Sequence, residues 1–408
     1  MGRLAGDATP RPLAGAFDAA ASPRRPHPRL AVPVGVWVLA DDKLGHTTQS
    51  IGLADALGWP YVVKELRFNR LNRLSNRLLG AGRLALDRQR STPLVPPWPE
   101  LVIATGRRTG PVARWIGARG GGATRLVQLG RKGADRADDF DLTVTCTHYG
   151  MPAHARRIET LAPLAAITEQ RLQAAGERWR DLFGAAPRPH VALLVGGTSA
   201  LHQLRAAAAA RMARDVSAFT AAAGGTLYVV TSPRTGAAAA EALRAGLADG
   251  DRFYRWQAGD PDNPYLGCLA VADVLVVTGD SESMLAEAAA IAAPLYIYPV
   301  PPRRGARRQR MRAWVGARAH RGDPPPAAGA ASRGLAWLCK RLLAHGVVRA
   351  PRDLAAMHRA LIEGDFARRF GAPLDPAPRP PLCELERVAA RVRALFVDGA
   401  TGAAADRG

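Results

Sequence analysis

A polar turn at residues 279–283, followed by Glu287, contains the residue types needed to bind a nucleotide. The turn comes after the apolar run 274–277 and before an Ala-rich segment, so the sequence predicts a buried strand, a turn and a helix. Free N–H groups at a helix start bind anions, and the hydroxyls of Ser281 and Ser283 add hydrogen bonds beside them. Glu287 comes one turn after Ser283 on the same helix face. The pattern suits phosphates at the turn and a ribose diol at the carboxylate, although a capped helix with a solvated glutamate also fits it.

Two polar loops in the first half of the chain also follow apolar runs. The loop at residues 41–50 contains Lys43 and His46, a possible anion contact and a possible general base at neutral pH. After residues 101–104, Arg107 and Arg108 lie between glycines, where their guanidinium groups suit a phosphate or a carboxylate. A helix-capping histidine and a solvated basic loop are the alternative interpretations.

Two further loops in the second half favour a diphosphate site. Small residues close the run 191–195, and they permit close approach of the backbone to a ligand; they are Gly196, Gly197, Thr198 and Ser199. The next loop adds Ser232, Arg234 and Thr235. Neither loop is a G-x-G-x-x-G or P-loop motif. Because the carboxyl ends of parallel strands share one edge, we expect these loops to lie together with residues 279–283, where Asp280 organises the turn.

Alternating strand and helix patterns predict an α/β protein with two Rossmann-like, doubly wound domains. The first predicted strand covers residues 32–40, and predicted helices include residues 49–57 and 284–292. A hinge is expected at the Pro-rich residues 187–189. The predicted organisation is a disordered leader at residues 1–29, a first domain at 30–186, a second domain at 187–384 and a final helix at 385–400.

Composition narrows the class of protein. The net charge is +21, so the surface will attract anionic lipid, acidic glycans, nucleotides or nucleic acid. Arginine makes up 52 of the 56 basic residues, a bias that genome composition also explains. Aromatic residues make up only 6%, so an aromatic platform for nucleic acid is not expected. The four cysteines lack zinc-site spacing and predict reduced thiols in a cytosolic protein. The basic segment 301–322 suggests contact with anionic lipid, or a solvated loop.

Taken together, the ordered motifs resemble the ELM1/GtrOC1 family, bacterial glycosyltransferase-like proteins related to a plant mitochondrial-fission factor. The resemblance covers roughly residues 34–395. It implies a GT-B fold, in which two Rossmann-like domains face each other across a cleft and the C-terminal helix returns to the first domain. The motifs that carry it are Asp41-Asp42-Lys43-x-Gly45-His46-x-x-Gln49-Ser50, Gly106-Arg107-Arg108, Gly196-Gly197-Thr198-Ser199, Thr231-Ser232-x-Arg234-Thr235, Asp262-Asn263-Pro264-Tyr265 and Thr278-Gly279-Asp280-Ser281-x-Ser283-Met284-x-x-Glu287-Ala288.

The resemblance also implies a function. It implies transfer of a sugar from a nucleotide-sugar to a lipid-linked or glycan acceptor during bacterial envelope or polysaccharide assembly. No metal or other cofactor and no nucleic acid is expected, and the implied location is cytoplasmic, with peripheral contact at the inner, anionic face of the plasma membrane. His46 with Lys43, Arg107 and Arg108 would form the catalytic side. The donor side would be Gly196, Gly197, Thr198, Ser199, Ser232, Arg234, Thr235, Ser281, Ser283, Met284 and Glu287.

Two alternatives stay open at this point. Plant relatives of the family suggest a non-catalytic adaptor that keeps the fold. Two aspartate pairs, at residues 139 and 141 and at residues 260 and 262, are superficially similar to the D-x-D metal motif of the other glycosyltransferase fold. Both pairs fall in loops unlike that site, so a metal is not expected.

Overall fold

The computed structural model describes residues 35–130, 137–151, 153–165, 167–303, 311, 314–315, 330–344 and 353–397. The predicted leader at residues 1–29 and most of the basic segment 301–322 lie outside the described residues.

The first domain is built on a six-stranded parallel sheet. Its elements in chain order are β1 Val36–Ala40, α1 Leu44–Leu57, β2 Tyr61–Glu65, α2 Asn76–Leu79, β3 Leu101–Thr105, α3 Thr109–Arg119, β4 Arg125–Leu129, β5 Leu142–Cys146 and β6 Arg157–Thr160. Short 3-10 helices occupy Arg70–Arg73, Ala137–Asp139 and Thr147–Tyr149. The strand order is β2-β1-β3-β4-β5-β6. Every residue of β1, β3 and β5 is buried, because elements cover both faces of the sheet.

The second domain repeats this plan. Its elements are α4 Glu169–Arg178, β7 His190–Leu194, α5 Ala206–Ala221, β8 Thr226–Val230, α6 Ala237–Ala245, β9 Arg252–Tyr254, α7 Tyr265–Val271, β10 Val274–Thr278, α8 Glu282–Ala289, β11 Leu295–Tyr298, α9 Ala330–Ala344, α10 Leu354–Glu363 and β12 Arg368–Arg369. The six strands are parallel, in the order β12-β11-β10-β7-β8-β9. Helix α4 precedes the predicted hinge but packs against α7.

In each sheet, successive strands are added first towards one edge and then, after one reversal, towards the other edge. In the first sheet the reversal lies between β1 and β3, and in the second it lies between β7 and β10. At such switch points the loops after the two strands diverge to opposite faces and leave a crevice at their carboxyl ends, where ligands bind. Four of the five loops that carry the predicted site follow these four strands, so the topology places two at each switch point. The fifth loop, with Ser232, Arg234 and Thr235, follows β8, which lies next to β7.

The last helix, α11 at Glu384–Val397, returns to the first domain. Its apolar residues Leu385, Val388 and Val392 are buried in the same core cluster as Leu53 and Leu57 of α1. Two parallel α/β sheets and a returning C-terminal helix form the architecture of the GT-B fold, which confirms the predicted fold class. Within the described part of the chain, no helix is both long and apolar enough to span a bilayer.

Several element boundaries differ from the sequence prediction. Helix α1 begins at Leu44 instead of residue 49, because a polar first turn without a side-chain cap looks like a loop in sequence. Helix α8 covers Glu282–Ala289 instead of residues 284–292, so the polar turn is shorter than predicted. Strand β6, Arg157–Thr160, was not predicted, because a short edge strand with charged residues carries a weak apolar signal.

Candidate functional site

The first switch point contains a histidine paired with a buried carboxylate. Asp41 directly follows β1, and its side chain is fully buried, whereas the His46 side chain in the first turn of α1 is 27% exposed. The distance from His46 Nδ1 to Asp41 Oδ2 is 3.1 Å, and Asp41 Oδ1 accepts the Lys43 backbone N–H at 3.0 Å. An ionised Asp41 fixes the tautomer with the proton on Nδ1, which leaves Nε2 as an acceptor. This geometry suits a general base.

A glycine on the neighbouring loop sets the position of the imidazole. Gly106 follows β3 with φ of +79°, and a Cβ there would lie 2.5 Å from His46 Cε1. Its carbonyl accepts a hydrogen bond from Gln128 Nε2 at 2.6 Å, and its N–H donates to Leu129 O at 3.0 Å. Because only glycine avoids a clash here, this backbone forms a fixed wall against the ring.

The arginine pair already has protein partners. Arg107 Nη1 donates to Leu74 O at 2.7 Å, and Arg107 Nη2 donates to Asn72 O. Arg108 Nη1 donates to Asp42 Oδ1. These bonds tie the loop after β3 to the segment before α2 and to the loop after β1, so binding of an anion by either arginine stays a prediction. Lys43, which follows Asp42 in the chain, has an exposed side chain.

Asp280 organises the loops of the second switch point, as predicted. Its side chain is fully buried; Oδ2 accepts the Gly197 N–H at 3.0 Å and lies 2.9 Å from Arg234 Nη1. Thr278 Oγ1 accepts the Gly196 N–H at 2.7 Å. Two successive N–H groups of the loop after β7 are therefore hydrogen-bonded, one to the end of β10 and one to the loop that follows it.

The loop after β8 braces the same glycines. Ser232 Oγ and Thr235 Oγ1 donate to Gly196 O at 2.5 and 2.8 Å. The Thr198 N–H donates to Arg234 O at 3.0 Å, and a Cβ on Gly197 would lie 2.1 Å from that oxygen. Ser199 Oγ accepts the N–H groups of residues 201 and 202. The predicted donor loops thus form one hydrogen-bonded unit, while ligand contacts of these hydroxyls stay predictions.

Helix α8 presents the other predicted donor residues. Ser281 is the buried N-cap, Ser283 is exposed and Met284 is half-buried. Glu287 is half-buried, and its Oε2 accepts the Tyr265 hydroxyl. Burial raises the pKa of Glu287, whereas the Tyr265 hydrogen bond and the charge of Arg171 lower it. The predicted ribose acid therefore lies between α8, α7 and α4.

A neighbouring contact joins the two domains. His148 and Tyr149 follow β5 of the first domain, and Glu282 begins α8 of the second. The distance from His148 Nε2 to Glu282 Oε1 is 3.1 Å, and the Tyr149 hydroxyl donates to Glu282 Oε2 at 3.0 Å. All three side chains are buried, so the helix start predicted to bind a diphosphate is fixed against the first domain.

One more histidine lines this helix start. His358 of α10 packs against Gly279, where a Cβ would lie 2.7 Å from His358 Cε1. Burial lowers the pKa of His358, while its hydrogen bond to the Gly279 backbone raises it. The ring is therefore biased towards its neutral form.

The sequence matches a known family over most of its length. Residues 44–320 match the family model described as Mitochondrial fission ELM1, which is more than half of the chain. The chain belongs to the mitochondrial fission ELM1 family. The Mitochondrial fission protein ELM1 of Arabidopsis thaliana is 27% identical over 221 residues, 49% of this chain and 51% of that protein. The match thus spans about half of the plant protein's length. An uncharacterized protein of Rickettsia prowazekii (strain Madrid E) is 24% identical over 299 residues, covering 66% of this chain and 84% of the relative.

Solved structures with a related architecture are distant from this ELM1-family chain. MurG of Acinetobacter baumannii has a TM-score of 0.38 at 14% identity, covering 88% of this chain and 99% of that one. The UDP-GlcNAc 2-epimerase of Methanocaldococcus jannaschii has a TM-score of 0.41 at 11% identity, covering 82% of this chain and 100% of that one. At these scores the likeness carries no argument about activity, and the fold rests on the strand order.

Sequence reasoning missed several polar residues of the candidate site in this ELM1-family chain. Asp41 was part of a motif, yet nothing in its spacing showed that it would pair with His46. His148 and Tyr149 follow an apolar strand, which was a usable signal, but their partner Glu282 lies in the other domain. The aspartate pairs weighed as a metal motif have other partners: Asp139 pairs with Arg114, Asp141 with Arg125, Asp260 with Tyr254 and Asp262 with Arg178.

Proposed function

We propose that this protein is a glycosyltransferase that moves a sugar from a nucleotide-sugar donor to an acceptor hydroxyl. The observation that carries the proposal is the Asp41–His46 pair at the first switch point, with its 3.1 Å hydrogen bond and fully buried carboxylate. A histidine oriented in this way can take a proton from an acceptor, and the braced glycine turn at the second switch point suits a diphosphate.

In the proposed reaction the acceptor oxygen attacks the anomeric carbon of the donor sugar. Its proton passes to His46 Nε2 as the new carbon–oxygen bond forms, and Asp41 stabilises the resulting imidazolium. The bond between the anomeric carbon and the diphosphate oxygen breaks, and its electron pair leaves with the nucleotide diphosphate. Lys43, Arg107 and Arg108 are proposed to supply positive charge on the acceptor side.

The second domain is proposed to bind the donor. Helix-start N–H groups beside Ser281 and Ser283, together with Arg234, would take up the charge on the departing diphosphate without a metal or another cofactor. Glu287 would accept hydrogen bonds from the ribose diol, exchanging its Tyr265 partner for the ligand. The remaining donor-side residues, proposed to line this site, are Gly196, Gly197, Thr198, Ser199, Ser232, Thr235 and Met284.

The proposed setting is bacterial envelope or polysaccharide assembly at the cytoplasmic face of the plasma membrane. A lipid-linked or glycan acceptor would be met there, and the net charge of +21 would favour peripheral contact with anionic lipid. Nucleic acid is not a proposed partner.

Donor binding is tested by thermal unfolding with a panel of nucleotide diphosphates and nucleotide-sugars. A ligand at a hundredfold excess over its Kd stabilises the folded state by about 2.7 kcal/mol, an effect that Glu287→Ala should abolish. If no ligand in the panel raises the melting temperature, the donor site is refuted.

Catalysis is tested with the donor found in that panel, by measuring release of nucleotide diphosphate. We expect His46→Ala and Asp41→Asn to lower turnover by roughly 10²–10⁴-fold while donor binding persists. His154→Ala is the matched control. His154 also pairs with an aspartate, Asp138, at 3.0 Å, and its side chain is 26% exposed, close to the value for His46. The two pairs differ in the aspartate, because the Asp138 side chain is 85% exposed. Equal loss in both histidine variants would contradict the assigned base.

Membership in the ELM1 family supports one alternative, a non-catalytic adaptor that keeps the GT-B fold. An adaptor would show neither nucleotide stabilisation nor turnover, so the same two measurements separate the candidates.

A further inference from the structure

Four leucines on one short segment of the first domain face solvent. The segment lies between β2 and β3, and we call residues 70–84 the leucine–arginine surface. Leu71, Leu74, Leu78 and Leu84 are 37–72% exposed. Large apolar side chains gathered on a surface mark an interaction site.

The local fold holds these leucines outward. Asn69 caps the 3-10 helix Arg70–Arg73, and Ser75 caps α2. Leu79 and Leu86 point inward and are buried, which anchors the segment to the domain. The exposed leucines are thus not needed to fill the core.

The same segment is basic and lacks acids. Between residues 66 and 86 the chain contains five arginines and no Asp or Glu. Arg70, Arg73 and Arg77 are exposed, and no ion pair involves them within the described ranges. Each comes directly before Leu71, Leu74 or Leu78, so cationic and apolar groups alternate along the surface. This chemistry matches the anionic headgroups and acyl chains of a bilayer.

The surface is fixed to the candidate active site. Arg107 Nη1 donates to Leu74 O at 2.7 Å and to Asn76 Oδ1 at 3.3 Å, and Asn76 Nδ2 donates to Arg107 O at 3.0 Å. Arg107 adjoins Gly106, which packs against His46. A bilayer bound at residues 70–84 would therefore lie beside the proposed acceptor side of the cleft.

We infer that the leucine–arginine surface binds an anionic membrane, with the leucines among the acyl chains and the arginines at the phosphates. The inference does not require catalysis. Its corollary, that the acceptor is lipid-linked and reaches His46 from the membrane, rests on the proposed function.

The test is co-sedimentation of the full chain with vesicles of phosphatidylcholine, alone or mixed with phosphatidylglycerol. We expect binding to the mixed vesicles only, weakening as salt rises. Leu74→Ser with Leu78→Ser, and separately Arg70→Gln, Arg73→Gln and Arg77→Gln together, should each lower the partition coefficient about tenfold or more.

Two control variants match these changes elsewhere. Val95→Ser with Ile362→Ser removes two exposed apolar side chains, and these substitutions should leave binding unchanged. Arg211→Gln, Arg214→Gln and Arg244→Gln together remove the same charge from exposed positions of α5 and α6, and should weaken binding only slightly.

Three outcomes would overturn the inference. These are vesicle binding that the leucine variant leaves intact, equal binding to phosphatidylcholine alone, and conversion of a dimer to a monomer by the leucine variant without any lipid effect. The last would make the surface an interface between copies of this chain. Because vesicle binding needs no nucleotide, failure here leaves the donor-binding result standing, and the reverse also holds.

Discussion

Removing the Asp280 carboxylate should destabilise the second domain far more than removing an equally close exposed carboxylate. In Asp280→Ala the buried Gly197 N–H loses its acceptor, which costs about 1–3 kcal/mol. Arg234 loses its partner as well, but its side chain is 39% exposed and can be rehydrated, so its share is smaller. We therefore expect a loss of about 2–4 kcal/mol in the free energy of unfolding.

Asp262→Ala is the matched control. Asp262 lies 2.9 Å from Arg178, the same distance as in the Asp280–Arg234 pair, but these two side chains are 77% and 55% exposed. Exposed pairs contribute little, so the expected loss is below about 1 kcal/mol. Asp280→Asn keeps an oxygen that can accept the Gly197 N–H and should recover part of the loss.

The assay is urea denaturation of the three variants, with unfolding monitored by circular dichroism. If Asp280→Ala and Asp262→Ala lower the free energy of unfolding equally, the argument from burial is refuted. If Asp280→Ala is destabilising yet keeps full nucleotide stabilisation, the braced turn is structural only.

Three further predictions concern the rest of the site. Gly106→Ala places a Cβ against His46 at a residue with left-handed backbone, and should lower the free energy of unfolding, measured by urea denaturation, by about 1–2 kcal/mol. The same substitution should shift the NMR resonance of the His46 Cε1–H proton. Burial raises the pKa of Glu287, so this carboxyl binds a proton more tightly in the folded state than in the unfolded chain. The free energy of unfolding should therefore fall as the pH rises from the ordinary carboxyl pKa through the raised one. Glu287→Gln should lack this fall and be the more stable protein at neutral pH, as urea denaturation across a pH series would show. Glu282→Ala should lower the free energy of unfolding by about 1–3 kcal/mol, because His148 and Tyr149 lose their partner in the other domain. The radius of gyration measured by X-ray scattering should increase. An unchanged radius would mean that other contacts hold the two domains together.

The sequence was most informative where local patterns decide structure. Continuous apolar runs predicted β1, β3, β7 and β10, because strands buried on both faces need apolar side chains throughout. Their parallel arrangement then brought the polar loops to two switch points. The predicted start of α1 was wrong because the N-cap residue, Lys43, makes no side-chain capping hydrogen bond and the polar residues of the first turn have the composition of a loop.

Pairings between distant residues could not be predicted. Composition cannot show that Arg107 is held by carbonyls before α2, or that Glu282 meets His148 across the cleft. Whether a polar side chain has a hydrogen-bond partner within the protein depends on tertiary contacts, and a single sequence does not show which residues are in contact. For that reason Asp280 could be assigned from local electrostatics, whereas Asp41 could not.

The return of α11 to the first domain has a consequence for how the chain is made. Leu385, Val388 and Val392 complete a core that begins with Val36 and Val38, so the first domain needs residues that are synthesised after the second domain. Until then the part of α1 that packs against α11 is uncovered while the second domain is synthesised. The first domain should therefore reach its stable form only after α11 has been synthesised, and truncation before Glu384 should destabilise the first domain.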